Sequence, residues 1–352
     1  MSTMKKSIIL NNISIGLSNE PYIIAEISGN HNGDIERAKK LIQVAKESGA
    51  HAVKMQTYTA DTMTINCHKP DFCIEGGLWD GKNLYQLYEW AHTPWEWHQT
   101  LFNYAKTLNI TLFSSPFDET AVDFLESLDT PAYKIASFEL VDHLLIAKVA
   151  QTLKPIIMST GMASYEEIAS AIKVAKQNGN KELIVLHCIS GYPTPIADSN
   201  LKTIQRLQQD FDVHVGLSDH TLGTTAAITA TALGAVVIEK HFTLSREDGG
   251  PDAAFSLEPD ELKHLCDSTK DAWQSLGQAN YDLRDAEAAN LQFRRSIYVV
   301  EDIKKGDILC EQNIRRIRPG FGLAPKHYQS ILGKRATQDI SRGTPLSWEL
   351  CK

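Results

Sequence analysis

A chain of 352 residues, 43% apolar and 22% charged, has room for a large buried core plus a smaller second unit and has the composition of a soluble globular enzyme. Its formal charge of -8, with no long basic run, argues against nucleic acid as the main partner; an anionic substrate would have to be met by locally placed Lys or Arg. Six cysteines without CxxC spacing, and no apolar run near ~18 residues, exclude a zinc ribbon, a disulfide framework and a membrane span, and point to a reduced, cytoplasmic protein.

The N-terminal MSTMKKSIILNNISIG lacks the apolar core and cleavage site of a signal peptide. Within it, residues 7–16 alternate loosely around Asn11-Asn12 and predict a small hairpin. A rhythm then sets in. YIIAEIS (22–28) reads as a strand, and Asp34 caps a helix that runs to Gly49 with Ile35, Ala38, Leu41, Ile42 and Ala45 on one face. HAVKMQTY, TLFSSPF, AYKIAS, PIIMSTG, LIVLHCIS, VHVGLSDH and VVIEKHF supply seven more strands. Helix signals separate them. Thr93-Pro94-Trp95-Glu96 reads as a capping box with proline at the first helical position; Ser164 to Glu167 is a second box, whose helix stops at Gly179. Eight βα units in about 250 residues predict an α/β fold, a closed (β/α)8 TIM barrel. The rival is an open doubly wound sheet, which the missing GxGxxG turn after the first strand weakens.

One connection breaks the rhythm. Residues 59–93 are too long for a βα loop and rich in aromatics (Phe72, Trp79, Tyr85, Tyr88, Trp90), which suggests a functional loop together with an extra helix over 84–90. After a helix over 259–277, residues 282–290 read as a linker helix. From Arg294 the pattern turns strand-like and basic, and Asp302-Ile303-x-x-Gly306-x-x-Leu309 recurs as Asp339-Ile340-x-x-Gly343-x-x-Leu346, suggesting a small β-rich domain with internal pseudo-symmetry. The expected organisation is a catalytic barrel over 1–280, a linker over 281–293 and a β-rich tail over 294–352.

Polar residues gather where the strands end. Glu26, Asn30 and His31 follow strand one; Lys54 and Gln56 lie on strand two, and Ser114 and Ser115 on strand three. Lys134, Ser137 and Glu139 follow on strand four, Ser159 and Thr160 on five, Ser190 and Tyr192 after six, Ser218 and His220 on seven, Glu239 and His241 on eight. In a barrel these ends converge on one face. His220 and His241, on neighbouring strands, would meet closely enough to share a divalent metal able to polarise a carbonyl. Two lysines with several hydroxyls suit a phosphorylated, carboxylated anion, and Glu26 suits a general base. Each residue alone has a structural explanation, but charges inside buried strands are costly unless paired or functional.

In order along the chain, AEISGNHNG, AVKMQTY, FSSPF, YKIAS, MSTGM, YPTP, GLSDH, EKHF, GPD, SLEPDEL and RPG resemble the sialic acid synthase (NeuB-type) family over nearly the whole length, the tail resembling its antifreeze-like (SAF) domain. Within the family, GGLWDGKNLYQLYEWAHTPWEWH, FSSPF and YKIASFE are most similar to pseudaminic acid synthases. The resemblance implies condensation of phosphoenolpyruvate (PEP) with an N-acetylated sugar aldehyde and release of phosphate. It implies that Lys54, Ser115, Lys134, Ser137, Ser159, Ser190 and Ser218 hold PEP. Gln56, Glu139, Tyr192, Asp252 and Arg318 would hold the sugar, His220 and His241 would bind Mn²⁺ (or Mg²⁺ or Co²⁺), and Glu26 would be the acid/base. It further implies a domain-swapped homodimer in which Arg318 reaches the partner's site. One position departs from the pattern: Ser190 stands where sialic acid synthases have Asn two residues before the tyrosine, which argues against plain N-acetylmannosamine as substrate. N-acetylneuraminic or legionaminic acid synthesis is the alternative within the same chemistry. A barrel hydrolase would show more metal ligands, such as HxH after strand one, and a non-catalytic sugar-binding barrel would be expected to lack Glu26 or a histidine.

Overall fold

Eight short parallel strands, each followed by helix, close on themselves in the computed structural model, which describes residues 7–352. Lys5 and Lys6 of the N-terminal stretch lie outside the described residues. The chain forms two units, Met1–Gly277 and Gln278–Lys352. The barrel strands of the first are β1 (Tyr22–Glu26), β2 (Ala52–Thr57), β3 (Thr111–Pro116), β4 (Tyr133–Ile135), β5 (Ile156–Ser159), β6 (Leu183–Cys188), β7 (His214–Asp219) and β8 (Val237–His241). All eight are those expected from the sequence. Each pairs with the next, and β8 closes on β1 with Val237 opposite Tyr22 and His241 opposite Glu26.

Strand alternation sorts the side chains into two cores. Ile23, Ala25, Val53, Met55, Leu112, Ile156, Val185 and Ile238 face outward and pack under the helices. Tyr22, Ile24, Ala52, Phe113, Ile157, Ile184, Leu186 and Val237 form a separate cluster with Ile8, Leu10 and Ile15. These last three come from the N-terminal hairpin, Ile8–Leu10 paired with Ile13–Ile15, which turns through Asn11 and Asn12 at positive φ. The hairpin plugs the barrel at the end where the strands begin, and Asn11 donates to Thr111 at the start of β3.

The helices follow their sequence signals with one exception. Asp34 caps the helix Ile35–Glu47 by accepting from the Glu36 N–H at 2.8 Å, and Ala38, Leu41, Ile42 and Ala45 are its buried face. Ser164 and Glu167 form the reciprocal box of the helix Tyr165–Gln177. The expected box at Thr93–Glu96 does not form. Pro94 itself is the N-cap of Trp95–Thr107, without a side-chain cap, because the buried Thr93 hydroxyl instead meets His31 Nε2 at 3.2 Å. The extra helix within the long connection spans Leu84–Ala91.

Gly216 explains how β7 and β8 come together. A Cβ there would lie 2.3 Å from the Val237 carbonyl oxygen and 2.7 Å from Leu186 Cδ2, so only glycine allows the approach.

In the second unit the expected linker helix is shorter, Asp285–Ala288, and runs into a 3-10 turn, Ala289–Phe293. Beyond it Ser296–Val299 pairs antiparallel with Ile314–Ile317. The remaining β structure consists of isolated bridges around a core that includes Ile303, Leu309, Ile340 and Leu346. The sequence repeat is a structural one. Ile303 and Ile340 exchange both backbone hydrogen bonds, the Asp302 carboxylate accepts from the Arg342 N–H at 2.7 Å, and the Asp339 carboxylate accepts from the Lys305 N–H at 2.8 Å.

Gly216→Ala should lower unfolding stability by about 1–3 kcal/mol through overpacking against rigid backbone. A denaturant midpoint equal to wild type would show that β7 and β8 can separate freely at this point.

Candidate active site

The inward positions nearest the C-terminal strand ends are where the barrel interior changes character. Below them the layers are apolar; at this level β1, β2, β4, β7 and β8 present Glu26, Lys54, Lys134, Ser218 and Glu239, all buried. The Lys54 ammonium lies 2.6 Å from Glu26 and 3.2 Å from Glu239. Glu239 reaches across to Lys134 at 3.8 Å and accepts from the Ser218 hydroxyl at 3.0 Å. Lys134 donates to Ser159 Oγ at 2.6 Å and to the Ile135 carbonyl at 3.1 Å, and the Glu26 carboxylate accepts from the Ser28 N–H at 2.6 Å.

Burial and neighbours set the charges of this layer. Burial pushes Lys134 down to about 8, against the pull of Glu239. Burial also opposes charge on Lys54, but Glu239 and Glu26 outweigh it and hold the ammonium above its ordinary range. For Glu239 burial is overcome by Lys134 and Lys54, which bring the carboxyl to about 2. Glu26 goes the other way: burial raises it, Lys54 only partly compensates, and Glu239 raises it further. A carboxylate of raised basicity beside a firmly ionised one is the arrangement expected of an acid/base group.

Hydroxyls surround the layer. Ser115 Oγ on β3 is buried without a hydrogen-bond partner among the described residues. Ser137 and Ser190 are bonded to one another at 2.8 Å. Gly161, at φ +51, makes room for both: a Cβ there would meet Ser137 Cβ at 2.4 Å and Ser190 Oγ at 2.8 Å.

One step further along β7 and β8 stand the two histidines, ring centroids 5.4 Å apart. His220 Nδ1 lies 2.9 Å from the Ile189 carbonyl and 3.9 Å from Cys188 Sγ; burial opposes charge on the ring, but Cys188 and the carbonyl outweigh it and hold the imidazole above its ordinary value. Burial drives His241 well below its ordinary value, and its Nδ1 has no hydrogen-bond partner among the described residues, the Asp252 carboxylate standing off at 3.8 Å. A buried imidazole with an orphaned nitrogen beside a second imidazole 5.4 Å away offers two ring nitrogens to a divalent cation, whose binding would displace any proton on His220. Among the described residues no set of three His, Cys, Asp or Glu is arranged as a metal site, so such a cation would complete its shell with substrate or water oxygens.

On the outer face of the same strands, Lys240 donates to Asp219 at 2.7 Å and to the Thr221 carbonyl, while Asp219 accepts from the Thr221 N–H at 2.9 Å. This buried pair grips the peptide that follows His220.

Above the charged layer opens a cleft of about 410 Å³. Gln56, Ser137, Glu139, His241 and Asp252 contribute a polar side, and Tyr58, Ile74, Trp79, Leu84, Leu87 and Tyr88 an apolar one; Tyr192 lines it as well, its ring 4.4 Å from that of His220. Burial lifts Glu139 to about 7, and its Oε2 has no hydrogen-bond partner among the described residues.

The sequence-derived candidates Glu26, Lys54, Lys134, Ser159 and Ser218 thus share one layer; His220 and His241 stand next to it, and Gln56, Glu139, Tyr192 and Asp252 surround the cleft. Arg318 belongs to the second unit, where it is exposed beside Pro319. Asn30 and His31 are turned to structural use: Asn30 Nδ2 bonds the Phe242 carbonyl and Ser256 Oγ, and His31 meets Thr93. Two participants had been given no role from sequence. Glu239, a lone acid in the apolar run VVIEKHF, carried the signal of an expensive buried charge; Trp79 carried none beyond its place in a long loop.

Residues 41–281 match the NeuB family and residues 294–350 the SAF domain. The pseudaminic acid synthase of Campylobacter jejuni subsp. jejuni serotype O:23/36 (strain 81-176) is 48% identical over 325 residues, 92% of this chain and 95% of that protein. The pseudaminic acid synthase of Helicobacter pylori (strain ATCC 700392 / 26695) is 45% identical over 93% of this chain and 96% of its own length. Among solved structures, N-acetylneuraminic acid synthetase from Leptospira borgpetersenii serovar Hardjo-bovis, in complex with citrate, superposes with a TM-score of 0.74 at 31% identity, covering 84% of this chain and 98% of that one.

The lysine layer should bind inorganic phosphate and raise the thermal midpoint. Because Lys134 loses its charge near pH 8, the gain should shrink as pH rises through that value. A phosphate shift that stays constant from pH 7 to about 9.5 would show that Lys134 does not meet the anion.

Proposed function

The chain belongs to the NeuB family, with a SAF domain following the barrel, and we propose that it condenses phosphoenolpyruvate with 2,4-diacetamido-2,4,6-trideoxy-L-altrose and water to give pseudaminic acid and phosphate. The observation that carries the chemistry is a two-lysine layer beside two neighbouring imidazoles at the foot of a cleft. The choice of sugar rests on the high identity to pseudaminic acid synthases.

Lys54 and Lys134 hold the phosphate and carboxylate of PEP, with Ser115, Ser137, Ser159, Ser190 and Ser218 supplying hydroxyl donors. Gln56, Glu139, Tyr192 and Asp252 orient the open-chain sugar. PEP C3 forms the new bond to the aldehyde carbon, and positive character develops at C2. Glu26 takes a proton from the water that adds there, and the C2–O bond to phosphate then breaks. The raised basicity that burial gives Glu26 suits it to this transfer. A divalent ion held by His220 and His241, Mn²⁺ with Mg²⁺ or Co²⁺ as alternatives, would polarise the aldehyde oxygen.

Charge balance supports that ion and a further cation. Two lysines facing two glutamates leave the layer close to neutral, so a substrate with both phosphate and carboxylate needs more positive charge. Arg318 of the tail is the candidate, serving the partner's barrel in a domain-swapped homodimer. Among the described residues no helix is long and apolar enough to cross a membrane. All six cysteines are free, in keeping with a cytoplasmic enzyme.

Phosphate release from PEP, measured with a panel of sugar aldehydes, tests the reading. Catalytic efficiency should be highest with the diacetamido trideoxy altrose, whereas equal or better turnover of N-acetylmannosamine or of the legionaminic precursor would reassign the enzyme within its family. Stripping divalent metal should abolish turnover and Mn²⁺ should restore it; full activity in verified metal-free enzyme would remove the histidine pair from the chemistry.

A further inference from the structure

The connection between β2 and β3 builds most of the apolar side of the cleft, and the chemistry above assigns it nothing. Its outer part is an ordered loop. The Ile74 N–H donates to the Lys82 carbonyl and the Gly81 N–H to the Ile74 carbonyl, both at 2.9 Å, and Cys73 bridges Asn83 below them. At the tip the Asp80 carboxylate accepts from the Gly76 N–H at 2.5 Å. This loop carries Trp79 into the cleft, where its ring lies 5.9 Å from that of Tyr192.

The indole N–H is already committed. It donates to the Pro251 carbonyl at 3.0 Å, one residue before Asp252 on the polar side. With its donor occupied and no acceptor of its own, the side chain presents only a π face to whatever enters. A sugar seated between this face and the polar side must turn its apolar groups toward Trp79. A hydroxyl pointed there would give up water and gain nothing from the indole.

We propose that Trp79 is a specificity-determining residue of the sugar site, packing against the C6 methyl and an acetamido methyl and so favouring a 6-deoxy, diacetamido sugar over one with hydroxyls at those positions. The assignment rests on the substrate reading above and adds the residue that enforces it. The Trp79 side chain meets Tyr192 and the Pro251 carbonyl on the cleft wall, so its effect is assigned to recognition of the sugar and not to the chemistry on PEP.

The test compares wild type, Trp79→Ala and Trp79→Phe in PEP-dependent phosphate release, with the diacetamido trideoxy altrose and with N-acetylmannosamine. Trp79→Ala should lower kcat/KM for the first sugar roughly tenfold or more, the scale on which an apolar pocket reads one group. Efficiency with N-acetylmannosamine and the KM for PEP should stay close to wild type. Trp79→Phe keeps a ring but no N–H and should retain most of the preference. An equal loss on both sugars, or an unchanged ratio, would reduce Trp79 to a strut between loop and barrel and overturn the proposal. A wild-type enzyme that prefers N-acetylmannosamine would instead overturn the substrate reading, and this assignment with it. Thermal midpoints of the variants separate either result from misfolding.

Discussion

Glu239 is the residue on which the site depends. Its carboxylate lies between two buried ammoniums, 3.2 Å from Lys54 and 3.8 Å from Lys134. Burying an ion costs several kcal/mol, and two like charges at the top of an apolar barrel would not stay there without an anion between them. Glu239 supplies that anion before any substrate arrives. It keeps the lysines folded inward and tolerates their proximity, and it forces Glu26, the fourth member, to hold its proton more tightly. Burial is the main source of that basicity, and the ionisation of Glu239 adds to it.

The same two strands solve a positional problem from behind. Ser218, His220, Glu239 and His241 all face inward on β7 and β8, so the intervening Asp219 and Lys240 must face the helices, where a charge is equally expensive. They answer by pairing with each other and by gripping both polar groups of the Thr221 peptide. Gly216, further down β7, lets the strands approach closely enough for both faces to form. One short strand pair therefore carries an inner charge set and an outer lock.

Much of this was legible in the chain. Short apolar or alternating runs separated by helix signals placed the eight strands, and strand ends bearing Lys, Glu and His inside those runs marked the site, because such residues are rarely buried without purpose. Periodicity also gave the buried face of the first helix. What escaped was decided by tertiary partners. Thr93 had the spacing of a helix cap, but His31 took its hydroxyl. Asn30 sat at a strand end like a ligand, yet its amide ties Phe242 to Ser256. Trp79 could not be placed because a loop has no period, and its meaning depends on Pro251, far away in sequence. The relation between Glu26 and Glu239 was invisible for the same reason: it exists only once β8 closes on β1.

The tail exchanges its bonds in pairs. Gly306 donates to Ala336 as Gly343 donates to Val299; Leu309 donates to Lys334 as Leu346 donates to Ile297; each aspartate of the repeat caps the turn of the other copy. Each half also bonds within itself, as where the Asp307 N–H donates to the Lys304 carbonyl and the Thr344 N–H to that of Ser341, but these reciprocal bonds need both halves. In effect the unit is a fused dimer, two copies of one motif that exchange reciprocal bonds and are joined into a single polypeptide. One copy by itself would leave its aspartate and strand ends without partners, whereas two separate copies could satisfy them by association. A cut between the two copies would therefore remove bonds that each half takes from the other, in a unit too small to have much core to spare.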